Sequence, residues 1–273
     1  MVDLSDFIAH SPNVKRGQIP AERRRRLNDA LEGLNSGLYG GDTGQRGGGG
    51  NNIPTAELVS YWPLDDLDDG TAADYVGAHD GTLQNGVGST DGPQDGAATF
   101  DGVDDYITTD LNVGAAGQSF TIAGILRAPG TQEFSQNHFF LSNYVDKSHD
   151  GFFAIGSSGA EQMFFWLRDA KQNSSVKIGP TDPAFDGAFH HYVGVRDADD
   201  DEMRFYIDGT SKGTKEFPGD GAVRDDDSFF GMMQHYSTRN MTDVVDDVRI
   251  YDRALSDSEV TALYGATATS SEV

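Results

Sequence analysis

Apolar and polar residues alternate in short runs over most of this chain. Leu58 to Leu64 is the first run, and Phe120 to Leu126, His138 to Leu141, Gly151 to Ile155, Met163 to Arg168, Phe189 to Arg196 and Met203 to Ile207 follow. Runs of about four to eight residues at period two, bounded by Gly, Asp and Asn, are the pattern of half-buried strands. Asp208-Gly209 reads as a hairpin turn after the last of these, and Ala98 to Ile107 reads as another hairpin turning at Asp101-Gly102. Strands at this spacing, without helices between them, predict an antiparallel sandwich.

Two stretches depart from the alternation. Val244 to Gly265 begins as a strand carrying Val245, Val248 and Ile250, breaks at Asp252-Arg253 and becomes a short helix. Ser256 is placed to cap that helix with Glu259 at its third position, Val260, Leu263 and Tyr264 form its apolar face, and Gly265 is the expected stop. Residues 1–53 differ from everything after them. Leu27, Ala30, Leu31 and Leu34 lie at helical spacing behind Pro20, which predicts a helix over about 21–34, and 40–52 is a Gly-rich tether. A helix that short is marginal alone in water and needs a surface to pack against. The chain therefore divides into an arm, 1–53, and a sandwich, 54–273.

Charge changes the picture more than composition does. The 44 acids outnumber the 20 bases, giving a formal net charge of -24, and 35 of the acids are Asp while only 6 of the bases are Lys. Residues 1–50 hold 7 bases and 6 acids, so nearly all the excess lies in the sandwich. Such a chain repels itself in dilute buffer, and molar salt screens the repulsion. This points to an extreme halophile and away from nucleic acid as a partner of the main domain. The Arg23 to Arg26 run of the arm suits acidic protein surfaces first and nucleic acid second. There is no cysteine, hence no disulfide or thiol chemistry. No stretch approaches the ~18 apolar residues of a membrane span, and Met1 to His10 lacks the basic and apolar regions of a signal peptide.

Four segments in order carry a family resemblance. Phe100 to Tyr106, F-D-G-V-D-D-Y, is followed by Phe189 to Val195, F-H-H-Y-V-G-V, then by Met203 to Thr210, M-R-F-Y-I-D-G-T, and by Val244 to Ser256, V-V-D-D-V-R-I-Y-D-R-A-L-S. Together they resemble the laminin-G-like domains of the concanavalin A-like class. Phe189 stands where that family has Trp, which reads as a conservative core change, and Asp243 where Gly commonly precedes the last strand. The resemblance implies an all-β jelly-roll sandwich of two antiparallel sheets, and a binding or adhesion role more often than an enzymatic one.

It also implies a structural Ca²⁺ at one edge of the sandwich, with Asp74, Asp101, Asp104 and Asp246 as ligands, since a hard cation takes six to eight oxygens from carboxylates and carbonyls. In a chain with this many Asp, the same residues also serve as turn formers and solvated charge. His190 and His191 are adjacent on a strand, so their rings point to opposite faces and cannot share an ion. Only 9 glutamates are present, none in the paired-carboxylate strand pattern of the sandwich hydrolases. In Met163 to Arg168, alternation puts Phe164, Trp166 and Arg168 on one face. A Trp beside an Arg there can stack on a sugar and bind its hydroxyls, although a strand Trp is more often core. Tyr144, His235, Tyr236 and Arg239 fall in loops that can rim such a face.

These readings converge on a non-enzymatic virion structural protein of a halophilic archaeal virus, on the virion surface as a capsid decoration, turret, tail or fibre component. Residues 1–50 would dock on other virion proteins, the protein forming a homo-oligomer, and the sandwich would meet a host glycan or glycoprotein. The alternatives are a cellular haloarchaeal lectin or adhesin, and a polysaccharide-active hydrolase or lyase.

Overall fold

A computed structural model describes residues 53–67, 70–93, 95–127, 138–143, 151–158, 162–170, 174–179, 186–218, 222–223, 230–233 and 242–268. The arm helix and tether expected within 1–52 lie outside these residues, as do Tyr144, His235, Tyr236 and Arg239. In chain order the strands are β1 (Leu58–Trp62), β2 (Thr71–Ala72), β3 (Gly81–Gln84), β4 (Gly88–Gly92), β5 (Asp95–Asp101), β6 (Tyr106–Thr108), β7 (Phe120–Arg127) and β8 (His138–Ser142). Next come β9 (Phe152–Ser158), β10 (Gln162–Arg168), β11 (Ser175–Ile178), β12 (Phe189–Asp197), β13 (Glu202–Ile207), β14 (Thr210–Glu216), β15 (Gly231–Met232) and β16 (Thr242–Tyr251). One helix, α1 (Asp257–Ala268), follows.

The strands form two antiparallel eight-stranded sheets. One runs β14-β13-β12-β7-β16-β5-β4, with β1 also on β16, and the other runs β11-β10-β9-β8-β15-β6-β3-β2. The expected jelly-roll sandwich is the observed architecture. Its main core lies between the sheets, where Met163, Phe165 and Leu167 of β10 face Tyr192 and Phe205 across the gap. Each such side chain contributes about 1.5–3 kcal/mol by leaving water. Trp62 is fully buried here, stacked on Phe230 at 5.3 Å, with its indole N–H donating to the His79 carbonyl.

β16 organises the first sheet. Its lower half pairs with β5 through Thr242 to Val245, its upper half with β1 through Val248 to Tyr251, and β7 runs along the other side. A bulge between Asp246 and Arg249 separates the halves, with Asp247 in the left-handed region at φ 54°. The extra residue explains why core-facing Val245 and Val248 are three apart rather than two. Asp243 sits within the regular strand, buried, and its carboxyl is held well above the ordinary range by that burial.

Helix α1 covers the outer face of this sheet. Leu255, Val260, Leu263 and Ala266 pack on Ala123, Val193, Val195, Tyr206 and Tyr251 in a second core. The capping box forms as predicted, the Ser256 N–H donating to Glu259 Oε2 at 2.9 Å and the Glu259 N–H to Ser256 Oγ at 3.4 Å. Arg253 adds a fork onto the same carboxylate, at 2.6 and 2.9 Å.

Four expectations are corrected. Gly265 does not end the helix, which continues to Ala268 because Ala266 still has core to bury against. Ala98 to Ile107 is not a hairpin, because β5 and β6 belong to different sheets and Asp101 to Asp105 crosses between them. Phe189 is half-buried under the Arg127 guanidinium, 4.8 Å from its ring centre, rather than a core substitute for Trp. Ile53, assigned to the arm, is buried in the second core. No helix among the described residues is long and apolar enough to cross a membrane.

Candidate functional site: an aromatic and basic face

The outer face of the second sheet carries a third apolar cluster, separate from both cores. Alternation along β10 turns Met163, Phe165 and Leu167 inward and leaves Phe164 and Trp166 outside, where Phe139, Phe152 and Ala154 of β8 and β9 join them. Small residues on β9 make room for the rings. Ala154 lies opposite Trp166 and Gly156 opposite Phe164, and a Cβ on Gly156 would come within 2.9 Å of the Phe164 ring and 2.1 Å of the His138 carbonyl.

Trp166 is the partly exposed member of this array. Phe152 meets it edge-on at 4.7 Å and 80°, Phe164 and Phe139 stand at 6.1 and 6.3 Å, and its indole N–H donates to Ser175 Oγ at 3.1 Å. The contacts fix the ring, so little side-chain entropy is lost when a ligand meets it. Register places Lys177 of β11 beside Trp166 and Arg168 beside Ser175. Lys177 Nζ lies 4.0 Å from the centre of Phe164 and 4.2 Å from that of Trp166, a doubled cation–π contact, and burial lowers its pKa. At the edge, Lys215 of β14 reaches over from the first sheet and donates to the Lys177 carbonyl at 2.7 Å.

Trp166 and Arg168 thus occupy the face their alternation assigned. Lys177, Phe139 and Phe152 were missed, because nothing local in the sequence reveals which residues three other strands bring alongside Trp166.

The four aspartates do not assemble as one group. Asp74 is buried and its carboxylate accepts the N–H groups of Tyr61, Val76 and Gly77 on one oxygen and His79 on the other, at 3.0–3.2 Å. Those bonds occupy its oxygens with the turn after β1, so it does not fit a calcium ligand. Asp246 is buried beneath Gly92, where an added Cβ would come within 2.7 Å of its Oδ2. Asp101 and Asp104 do come together, joined by Asp105, with one oxygen from each within 4.8 Å of the others. Burial raises the Asp105 pKa, and the charges of Asp101 and Asp104 add to it, although the Asp101 N–H it accepts acts the other way. A cation there would draw on these three carboxylates and would relieve their mutual repulsion.

Residues 101–261 match the family model of the concanavalin A-like lectin/glucanases superfamily. The chain belongs to that superfamily. No curated protein matches it. Among solved structures it is similar to the binding domain of Paraclostridial Mosquitocidal Protein 1, with 16% identity and a TM-score of 0.64 over 76% of this chain and 51% of that one. The binding domain of botulinum neurotoxin serotype G gives 16% and 0.62 over 76% and 50%. Domain 4 of AbnA, an extracellular arabinanase of Geobacillus stearothermophilus solved with arabinotriose, gives 17% and 0.60 over 76% of this chain and 98% of that domain. The chain spans about half the length of the two toxin domains. At these identities the likeness is one of fold, shared by binding domains and by a domain of a glycosidase.

Proposed function

We propose that this superfamily member is a non-enzymatic glycan-binding protein whose ligand rests on the outer face of β8 to β11. The observation that carries the reading is Trp166, partly exposed and fixed among three other rings, with Lys177 and Arg168 beside it. Rings and bases are the chemistry of sugar recognition, whereas a glycosidase needs a pair of carboxylates about the scissile bond. Trp166→Ala is expected to weaken binding to a responding glycan by about tenfold or more, as loss of a stacking anchor does, measured at a temperature where circular dichroism shows the variant still folded. A glycan array on which the wild type binds nothing, or a variant that binds as well as wild type, overturns the reading.

In its setting we assign the protein to the surface of a virion of a halophilic archaeal virus, residues 1–50 docking on the particle and the sandwich facing a host glycan or glycoprotein. The support is the charge division, near balance in residues 1–50 against the acidic excess beyond. A fragment beginning at Ile53 is expected to fold with the full chain's thermal midpoint and to be absent from purified particles. Normal incorporation of that fragment would sink the anchoring role.

A further inference from the structure

The described bases are not distributed as the charge balance predicts. With 44 acids to 20 bases, most cations should find a carboxylate, and four of the described arginines do. Arg196 meets Asp201, Arg204 meets Asp197 and Asp257, Arg249 meets Asp247, and Arg253 meets Glu57 and Glu259. Arg127, Arg168, Lys177, Lys212 and Lys215 meet no carboxylate among the described residues. Lys177 rests on two ring faces, Lys215 on a backbone carbonyl, and Arg168 stands beside Ser175. Three of these five, Arg168, Lys177 and Lys215, lie together on β10, β11 and the adjoining edge of β14, at the aromatic face.

We infer that this face selects glycans bearing anionic groups, carboxylate or sulfate, which pair with Arg168, Lys177 and Lys215. This deepens the glycan-binding reading and rests on it. The rings take the sugar body and the bases take the charged substituent. Lys177 is well suited, because ring faces have replaced part of its water shell and less hydration is lost when an anion arrives. The chain's net charge gives the interaction an unusual salt response. At low salt the excess acids repel an anionic ligand at long range, while at about 1 M the Debye length is roughly 3 Å and only contact pairs persist. Binding is therefore expected to hold or tighten as salt rises, the reverse of an ordinary basic patch.

The test uses the full-length protein and two matched probe pairs, oligogalacturonate against its methyl ester and dextran sulfate against dextran, titrated at about 0.1 and 1 M NaCl. The acidic member of at least one pair is expected to bind about tenfold more tightly than its neutral partner. In Lys177→Gln and Arg168→Gln that ratio falls towards one. Lys212→Gln, which removes the same charge elsewhere on β14, keeps it. Which pair discriminates separates carboxylate from sulfate. Equal affinities within both pairs overturn the anion preference and leave glycan binding standing. A preference that survives Lys177→Gln and Arg168→Gln also overturns the assignment to this face, and binding to none of the four probes by a protein that binds a neutral glycan on the array overturns the anion preference alone.

Discussion

His190 and His191 are neighbours on β12 with opposite electrostatic fates. His190 faces two carboxylates, Nδ1 lying 2.6 Å from Asp208 and Nε2 3.2 Å from Asp186, and the bond to Asp208 raises its pKa despite partial burial. His191 is fully buried against Tyr264, and burial with the nearby Arg249 charge pushes it down to about 3. An ordinary histidine titrates near 6.5. His190 therefore contributes stability that is complete below about pH 6.5 and is lost as pH rises through its raised pKa. His191 contributes stability present above about pH 6.5 and lost as pH falls towards 3. Urea midpoints measured against pH are expected to show His190→Gln flattening the alkaline limb and His191→Phe flattening the acid limb. Both variants acting on one limb would contradict the assignment. On β16, Asp247 and Arg249 form a buried pair at 2.6 Å, with the guanidinium 4.5 Å from the centre of Tyr61. Arg249→Met leaves a buried carboxylate alone and is expected to cost about 3–5 kcal/mol. Asp247→Asn, which tolerates the left-handed bulge, is expected to restore much of that loss in the double variant, as a double-mutant cycle in urea would measure.

Elements meet here through small residues as much as through large ones. Gly194 on β12 lies under the Phe165 ring of the opposing sheet, and a Cβ there would come within 2.6 Å of two ring carbons. Gly194→Ala must separate the sheets or tilt the ring, at an expected cost of about 1–3 kcal/mol. The same change in a Phe165→Leu background is expected to cost less, and equal costs in both backgrounds would show that the ring is not the obstacle. The bulge in β16 is a second such device. It gives one strand two successive partners on the same side, β5 and then β1, and it turns Tyr251 under α1 while Val248 and Ile250 keep to the main core.

At the scale of the whole molecule, net charge governs the conditions under which the sandwich is stable. A formal charge of -24 on 273 residues opposes compaction. Raising NaCl from about 0.1 to 1 M shortens the Debye length from roughly 10 to 3 Å. The thermal midpoint is expected to climb steeply over that interval. A midpoint indifferent to salt would remove the ground for a hypersaline origin. The aromatic face is placed by this same architecture, because α1 and the second core cover the outside of one sheet with aliphatic and ring side chains, while the outside of the other carries Trp166 and its bases.

By itself the sequence determined what depends on neighbours along the chain. Period-two alternation located most of the strands and put Trp166 and Arg168 on one side of β10. Ser256 and Glu259 announced the helix start, and four ordered motifs declared the sandwich. Tertiary structure alone decided which strands lie side by side, and hence that Lys177 stands over Trp166, that the residues after Phe100 cross between sheets, and that Asp74 spends its oxygens on four backbone N–H groups. The difference is physical. Periodicity and capping are written into residues a few positions apart, whereas sheet register is settled by the best burial of the whole apolar set, to which every strand contributes at once.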